Sequence, residues 1–186
     1  MRLSASDRQR IHAAAEAAEA RCGVHISVAI VKASDRYALY PIVWGALVAL
    51  TAGGIITLFL PHLTGRSVFA IEAAGFVALS LLLDWWPLRV RCVPRRIRHA
   101  RASVFAHREF AARILAERRD AGGVLVFLSL GERYAEVLAD RQAHAGRDNT
   151  VWEKTVAAVV AAATSGQVAD GIVSALRELE AALARG

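Results

Sequence analysis

Val24, Ile26, Val28 and Ile30 alternate with His25, Ser27 and Ala29, and a few residues later the alternation gives way to an unbroken apolar run, Pro41 to Leu60. The alternation predicts a β-strand with one apolar face. The run, PIVWGALVALTAGGIITLFL, carries no charge. As a helix it rises about 30 Å, the thickness of a bilayer's hydrocarbon core, and its backbone hydrogen bonds close within the segment as lipid requires. A second apolar run, Val68 to Pro87, follows after the turn Pro61 to Arg66. Together the runs predict a transmembrane helical hairpin inserted into a soluble α/β domain. Glu72 and Asp84 interrupt the second run, and an acid at the bilayer centre costs about 2.5 to 3.5 kcal/mol. Both are expected near the ends of that helix, within reach of water, rather than on a proton path.

The flanks read as one split unit. Ser4 or Ser6 can cap a first helix in which Ile11, Ala14, Ala15, Ala18 and Cys22 recur at helical spacing, and Gly23 ends it. Lys32 to Arg36 turns the chain toward the membrane. Beyond the hairpin, Pro94 opens a basic helix running to about Arg119, with Phe110, Ala111, Ile114 and Leu115 on one side, and Gly122-Gly123 stops it. Val124 to Leu130 is a continuous β-branched and aromatic run suited to a strand buried on both faces. Gly131-Glu132-Arg133 turns into a second strand, Tyr134 to Asp140, making a β-hairpin. Two helices follow, Val151 to Thr164 and Val168 to Ala184, the latter with Val168, Ile172, Leu176, Leu179 and Leu183 on one stripe. The fold class expected is therefore α/β: helices on a small mixed sheet. Its division is 1–36 (first helix and strand), 37–93 (hairpin, with spans at about 41–60 and 68–87, and a basic exit) and 94–186 (remainder). The soluble part, about 120 residues, suffices for one modest core.

Charge sets the orientation. The chain carries a net charge of +6, and Arg89, Arg91, Arg95, Arg96 and Arg98 crowd the exit of the second span, with Arg101 beyond. The turn between spans has only Arg66 and His62. By the positive-inside rule both termini and the α/β domain face the cytoplasm, which makes the chain a multi-pass protein of a bacterial inner membrane. A basic cluster could neutralise nucleic-acid phosphates. Here it abuts a membrane helix, where each cation near anionic headgroups is worth about 1 kcal/mol, so the expected partner is lipid and not nucleic acid. Trp44, Trp85 and Trp86 are expected as interfacial anchors. Met1 to Gly23 lacks the apolar core of a cleavable signal, leaving the hairpin as the insertion signal. Cys22 and Cys92 stand alone, in neither a CxxC nor a Cys/His spacing, and are expected as reduced, structural thiols.

Candidate chemistry is sparse. Glu136 and Asp140 could share a strand face with Asp148 approaching from a loop, a set of oxygens able to hold a divalent cation. The competing reading makes Asp140 a strand terminator and Asp148 or Thr150 a helix cap. No GxSxG, HExxH, P-loop or GxGxxG motif is present, and the six histidines are scattered. Contact is better signalled. Gly45, Ala49 and Gly53 recur every fourth residue on the first span, and Ala70, Ala74 and Ala78 on the second. Small residues at this spacing let helices approach closely in lipid. Either the two stripes pack on each other, or one of them receives a foreign helix.

The run GVLVFLSLGERYAEVLADRQA from Gly123 to Ala143, then Trp152, then SGQVADGI from Ser165 to Ile172, resembles the TPM domain family. Most similar is its membrane-anchored bacterial branch, where two membrane helices and a basic stretch part the first helix and strand from the rest. In that branch the resemblance implies a TPM-like cytoplasmic domain over nearly the whole chain. Glu132, Arg133 and Asp140 fall on the family's Glu-Arg and Asp-Arg-Gly elements, while Gln142 stands where the pattern favours glycine. For activity the resemblance implies either a factor in photosystem repair or an acid phosphatase. The reading preferred from the residues is a non-enzymatic accessory subunit or assembly factor of a larger membrane complex, needing no cofactor. The alternative is a membrane-tethered phosphatase or divalent-cation-binding domain.

Overall fold

The structure, a computed structural model, describes residues 3–116, 122–145 and 148–184, apart from the side chains of 86 and 87. The end of the basic helix expected near Arg119, and the side chain of Trp86, lie outside the described residues. Two units form: Met1–Ser34 with His99–Gly186, and Asp35–Arg98.

In the first unit α1 (Ala5–Cys22) starts at a capping box: Ser4 Oγ accepts from Asp7 N at 3.0 Å, and Asp7 Oδ2 accepts from Ser4 N at 3.1 Å. The hydrogen bonds from the Ser4 side chain and backbone hold the Asp7 carboxyl below its ordinary range. Gly23 closes the helix in the left-handed region, φ 72°, as a residue without Cβ does most easily. β1 (His25–Val31) pairs parallel with β2 (Gly123–Ser129), Val28 opposite Val126, and β2 pairs antiparallel with β3 (Tyr134–Ala139), Phe127 opposite Glu136. The order is β1-β2-β3. Every residue of β2 is buried, as its continuous apolar run requires of a central strand with both faces covered.

Each face has its own core. Val124, Val126 and Leu128 meet Ile11, Ala15 and Ala18 of α1, Trp152 and Val159 of α7 (Asn149–Ser165), and the Ile172, Leu176 and Leu179 stripe of α8 (Val168–Leu183). On the other face Leu125 and Phe127 meet Ala102 and Ala106 of α5 (Arg95–Phe110) and Ile114 of the π-helical segment Ala111–Leu115 that continues it. Parallel neighbours need a long crossover. Between β1 and β2 that crossover contains the entire second unit.

The second unit holds α2 (Leu39–Phe59), α3 (Gly65–Leu83) and α4 (Trp86–Arg91). α2 and α3 pack together as a hairpin, and both are long and apolar enough to cross a membrane by length and composition. The second apolar run is not one helix to Pro87. It ends at Leu83, capped by Asp84, and Pro87 falls in the first turn of α4. There its missing N–H costs nothing, whereas inside α3 it would remove a hydrogen bond and clash with the preceding turn. Nor is Glu72 near an end: with α3 starting at Gly65, it lies about 10 Å along the axis.

Candidate functional site

Any hydrolytic or metal chemistry here would need the carboxylates. Asp140 follows β3 and caps a one-turn helix, α6 (Arg141–His144). Its Oδ1 accepts from Ala143 N at 2.8 Å and its Oδ2 from Gly123 N at 2.9 Å, while its own N–H donates to Gly123 O at 3.0 Å. One oxygen is thus spent on the start of β2 and the other on the first turn of α6. The approach is tight because Gly122, φ 77°, has no room for a side chain: a Cβ there would meet Ala143 N at 2.7 Å and Gln142 Cβ at 3.0 Å. The close backbone contact that a glycine at 142 would permit is supplied from the opposite strand.

Glu136 points to the α5 face and accepts from the Tyr134 hydroxyl at 3.0 Å. Burial raises the pKa of that hydroxyl, keeping it a proton donor. Asp148 caps α7, accepting from Thr150 N at 3.4 Å and Thr150 Oγ1 at 3.0 Å. Among the described residues no three His, Cys, Asp or Glu side chains form a group that could hold a metal ion. The carboxylates named together in the sequence are each engaged locally. Asp140→Ala should lower stability by about 1 to 3 kcal/mol by orphaning two backbone N–H groups, read as a lower unfolding midpoint whether or not divalent cation is present. A loss seen only with added cation would assign Asp140 to metal instead.

Glu132 is the acid that sequence reasoning passed over structurally. It is 2 % exposed; one oxygen accepts from Ser34 N at 2.8 Å and the other from the Ser129 hydroxyl. Around it Leu130 N donates to Val31 O at 3.0 Å and Gly131 N to Lys32 O at 2.8 Å. The turn between β2 and β3 is thereby fastened to the end of β1.

In the hairpin, α2 uses the expected stripe. Gly45 and Gly53 are buried and Ala49 half-buried. They do not meet Ala70, Ala74 and Ala78, which lie exposed. The face of α3 turned to α2 carries Glu72, Phe76 and Ser80: a Cβ on Gly45 would come within 2.5 Å of Ser80 Oγ, and one on Gly53 within 1.4 Å of Glu72 Oε1. Glycines receive the larger side chains of the partner helix, so a second small-residue stripe is not needed there, and it is left uncovered.

The basic exit divides likewise. Arg91, Arg95 and Arg96 are exposed and Arg98 half-buried. Arg89 is inward, paired with Asp84 and donating to Arg36 O at 3.2 Å. Trp44 donates its indole N–H to Cys92 O at 3.1 Å, joining α2 to the end of α4, whereas Trp85 is exposed.

Comparison with known proteins yields a fold likeness. No protein-family model and no curated protein matches the chain. Among solved structures, the NMR structure of BA42 protein from the psychrophilic bacterium Bizionia argentinensis is similar, with a TM-score of 0.53 and 14% identity over 100% of this chain and 83% of that one. The likeness is one of fold.

Proposed function

We propose that this chain is a multi-pass protein of the bacterial inner membrane whose hairpin crosses the bilayer and whose α/β unit lies on the cytoplasmic side. It serves as an accessory subunit or assembly and repair factor of a larger membrane complex. The observation that carries this reading is the uncovered stripe Ala70, Ala74 and Ala78 on a helix already paired through its other face. In lipid, small residues at this spacing are where a further helix approaches closely. Exposed Arg91, Arg95 and Arg96 support cytoplasmic placement beside anionic headgroups. The motif resemblance to membrane-anchored TPM proteins points the same way, and on that resemblance a photosynthetic complex is the first partner to test.

The experiment is extraction of the full chain in mild detergent, followed by native electrophoresis and mass spectrometry of co-migrating proteins. Wild type should run in a large complex. Replacing Ala70, Ala74 and Ala78 together by Leu, which leaves the Gly45 and Gly53 contacts untouched, should release it. Migration as a free monomer in both cases would remove the docking role, and extraction by alkaline carbonate would remove the membrane.

A further inference from the structure

β1 and β3 are both outer strands, but only β3 carries a charge within its length, Glu136. β1, HISVAIV, has neither proline, lysine nor carboxylate, the devices that usually keep an open edge from pairing. His25 donates to Gly122 O, and Val31 O accepts from Leu130 N, so the odd-numbered residues address β2. The N–H and C=O of Ile26, Val28 and Ile30 therefore point outward. Glu19 Oε2 accepts from Ile26 N at 3.4 Å. The backbone groups of Val28 and Ile30 have no partner among the described residues.

Beside this edge runs a groove of about 1070 Å³ floored by all of β1 and walled by α1. Apart from Arg113, whose guanidinium is paired with Glu109 at 2.6 Å, its charges are divided lengthwise. α1 returns into β1 through a tight turn, so the exposed Arg8 near the start of α1 lies toward the same end as Lys32, just past β1. Glu19, 2.8 Å from His25 Nδ1, sits at the other end, with Glu16 one turn back.

A groove that is basic at one end and acidic at the other is complementary to its own inverted copy. We propose that a second copy of this chain occupies it, the two β1 strands pairing antiparallel about Val28 and joining two three-stranded sheets into one. The two Val28 residues then exchange backbone hydrogen bonds, Ile26 pairs with Ile30 of the second copy on either side, and Arg8 and Lys32 of each copy come beside Glu19 of the other. Main-chain pairing supplies the affinity and the ends supply the register.

The test uses the full chain in detergent micelles, mixed from isotope-labelled and unlabelled preparations. Lys32 is one of two lysines in the chain, and a zero-length carbodiimide cross-linker should couple it to Glu19 or Glu16 in label-mixed pairs. Sedimentation should give a dimer. Val28→Pro, which removes an outward N–H that an edge strand can spare, should weaken dimerisation about tenfold or more with circular dichroism and melting unchanged. Should Val28→Pro unfold the chain, Lys32→Glu, an exposed change, takes its place and should weaken the dimer severalfold, more so at low salt. A monomer at micromolar concentration, a dimer indifferent to both variants, or coupling of Lys32 in native membranes to a different protein would each overturn the proposal.

Discussion

Replacing Glu132 by Ala is expected to destabilise the α/β unit by about 3 to 5 kcal/mol. The carboxylate is buried and accepts from Ser34 N–H and from the Ser129 hydroxyl, the latter itself fully buried. Truncation orphans both donors, each at about 1 to 3 kcal/mol, and hydrogen bonds to a charged acceptor stand at the upper end of that range. Position adds to chemistry. Ser34 is the last residue of the unit before the chain passes into residues 35–98, and β1 and β2 must find each other across that insertion. The Glu132 contact spans 98 positions, so it closes the crossover at the point where β1 ends. Glu132→Gln keeps an acceptor for Ser34 and should lose clearly less. Hydrogen exchange reads the effect directly: protection of the Ala29 and Phe127 amides should fall by about two to four powers of ten in the Ala variant. Unchanged protection would mean that the acid is not a structural fastening and is available for chemistry.

That role shows how far the sequence could be read. Periodicity located the strands and the long helices, because alternation at Val24 to Ile30, the unbroken run at Val124 to Leu130 and the stripe of α8 each admit one packing arrangement. The mixed sheet followed from the same signals. Glu132 was opaque for a physical reason: Gly-Glu-Arg between two strands has the composition of a solvated turn, and its burial is imposed by Ser34 from the far side of the insertion. Arg133, held at φ 51°, has no local mark either. The helix α6 did leave a signal, an Asp at the cap with Ala143 three positions on, but four residues carry too little periodicity to stand out. The end of α3 was legible in Pro87 and was overrun because apolarity alone continues through Trp85 and Trp86. Of the candidate carboxylates, Glu136 lies on β3 while Asp140 falls just past its end as the cap of α6, and what the Asp140 oxygens bind depends on backbone N–H groups that no side-chain pattern encodes.

Gly53→Leu should part the hairpin in the half nearer its turn, with a loss of about 3 kcal/mol or more in its stability. A side chain at 53 meets the Glu72 carboxylate, Oε1 at 1.4 Å and Cδ at 2.1 Å from the new Cβ, so either the helices separate or Glu72 swings out. Neither is cheap in the proposed bilayer setting. Separation forfeits the contact that also seats Ser80 against Gly45, and a carboxylate turned toward lipid costs about 2.5 to 3.5 kcal/mol. A double-mutant cycle isolates the cause. On a Glu72→Ala background the acid is gone and space opens opposite residue 53, so the same Gly53→Leu change should cost less than half as much. Unfolding of the full chain in bicelles, followed by a fluorophore pair across α2 and α3, measures all four corners. Equal losses on both backgrounds would show that Gly53 and Glu72 do not touch. A matching Ala74→Leu change should leave this hairpin stability within about 0.5 kcal/mol of wild type, because that residue is exposed and makes no part of the α2 contact. The contrast between positions 53 and 74 separates the face that builds the hairpin from the face proposed to receive a partner. Small residues state only where a helix surface is able to come close; which helix does so is decided by the side chains that face them, here Glu72, Phe76 and Ser80.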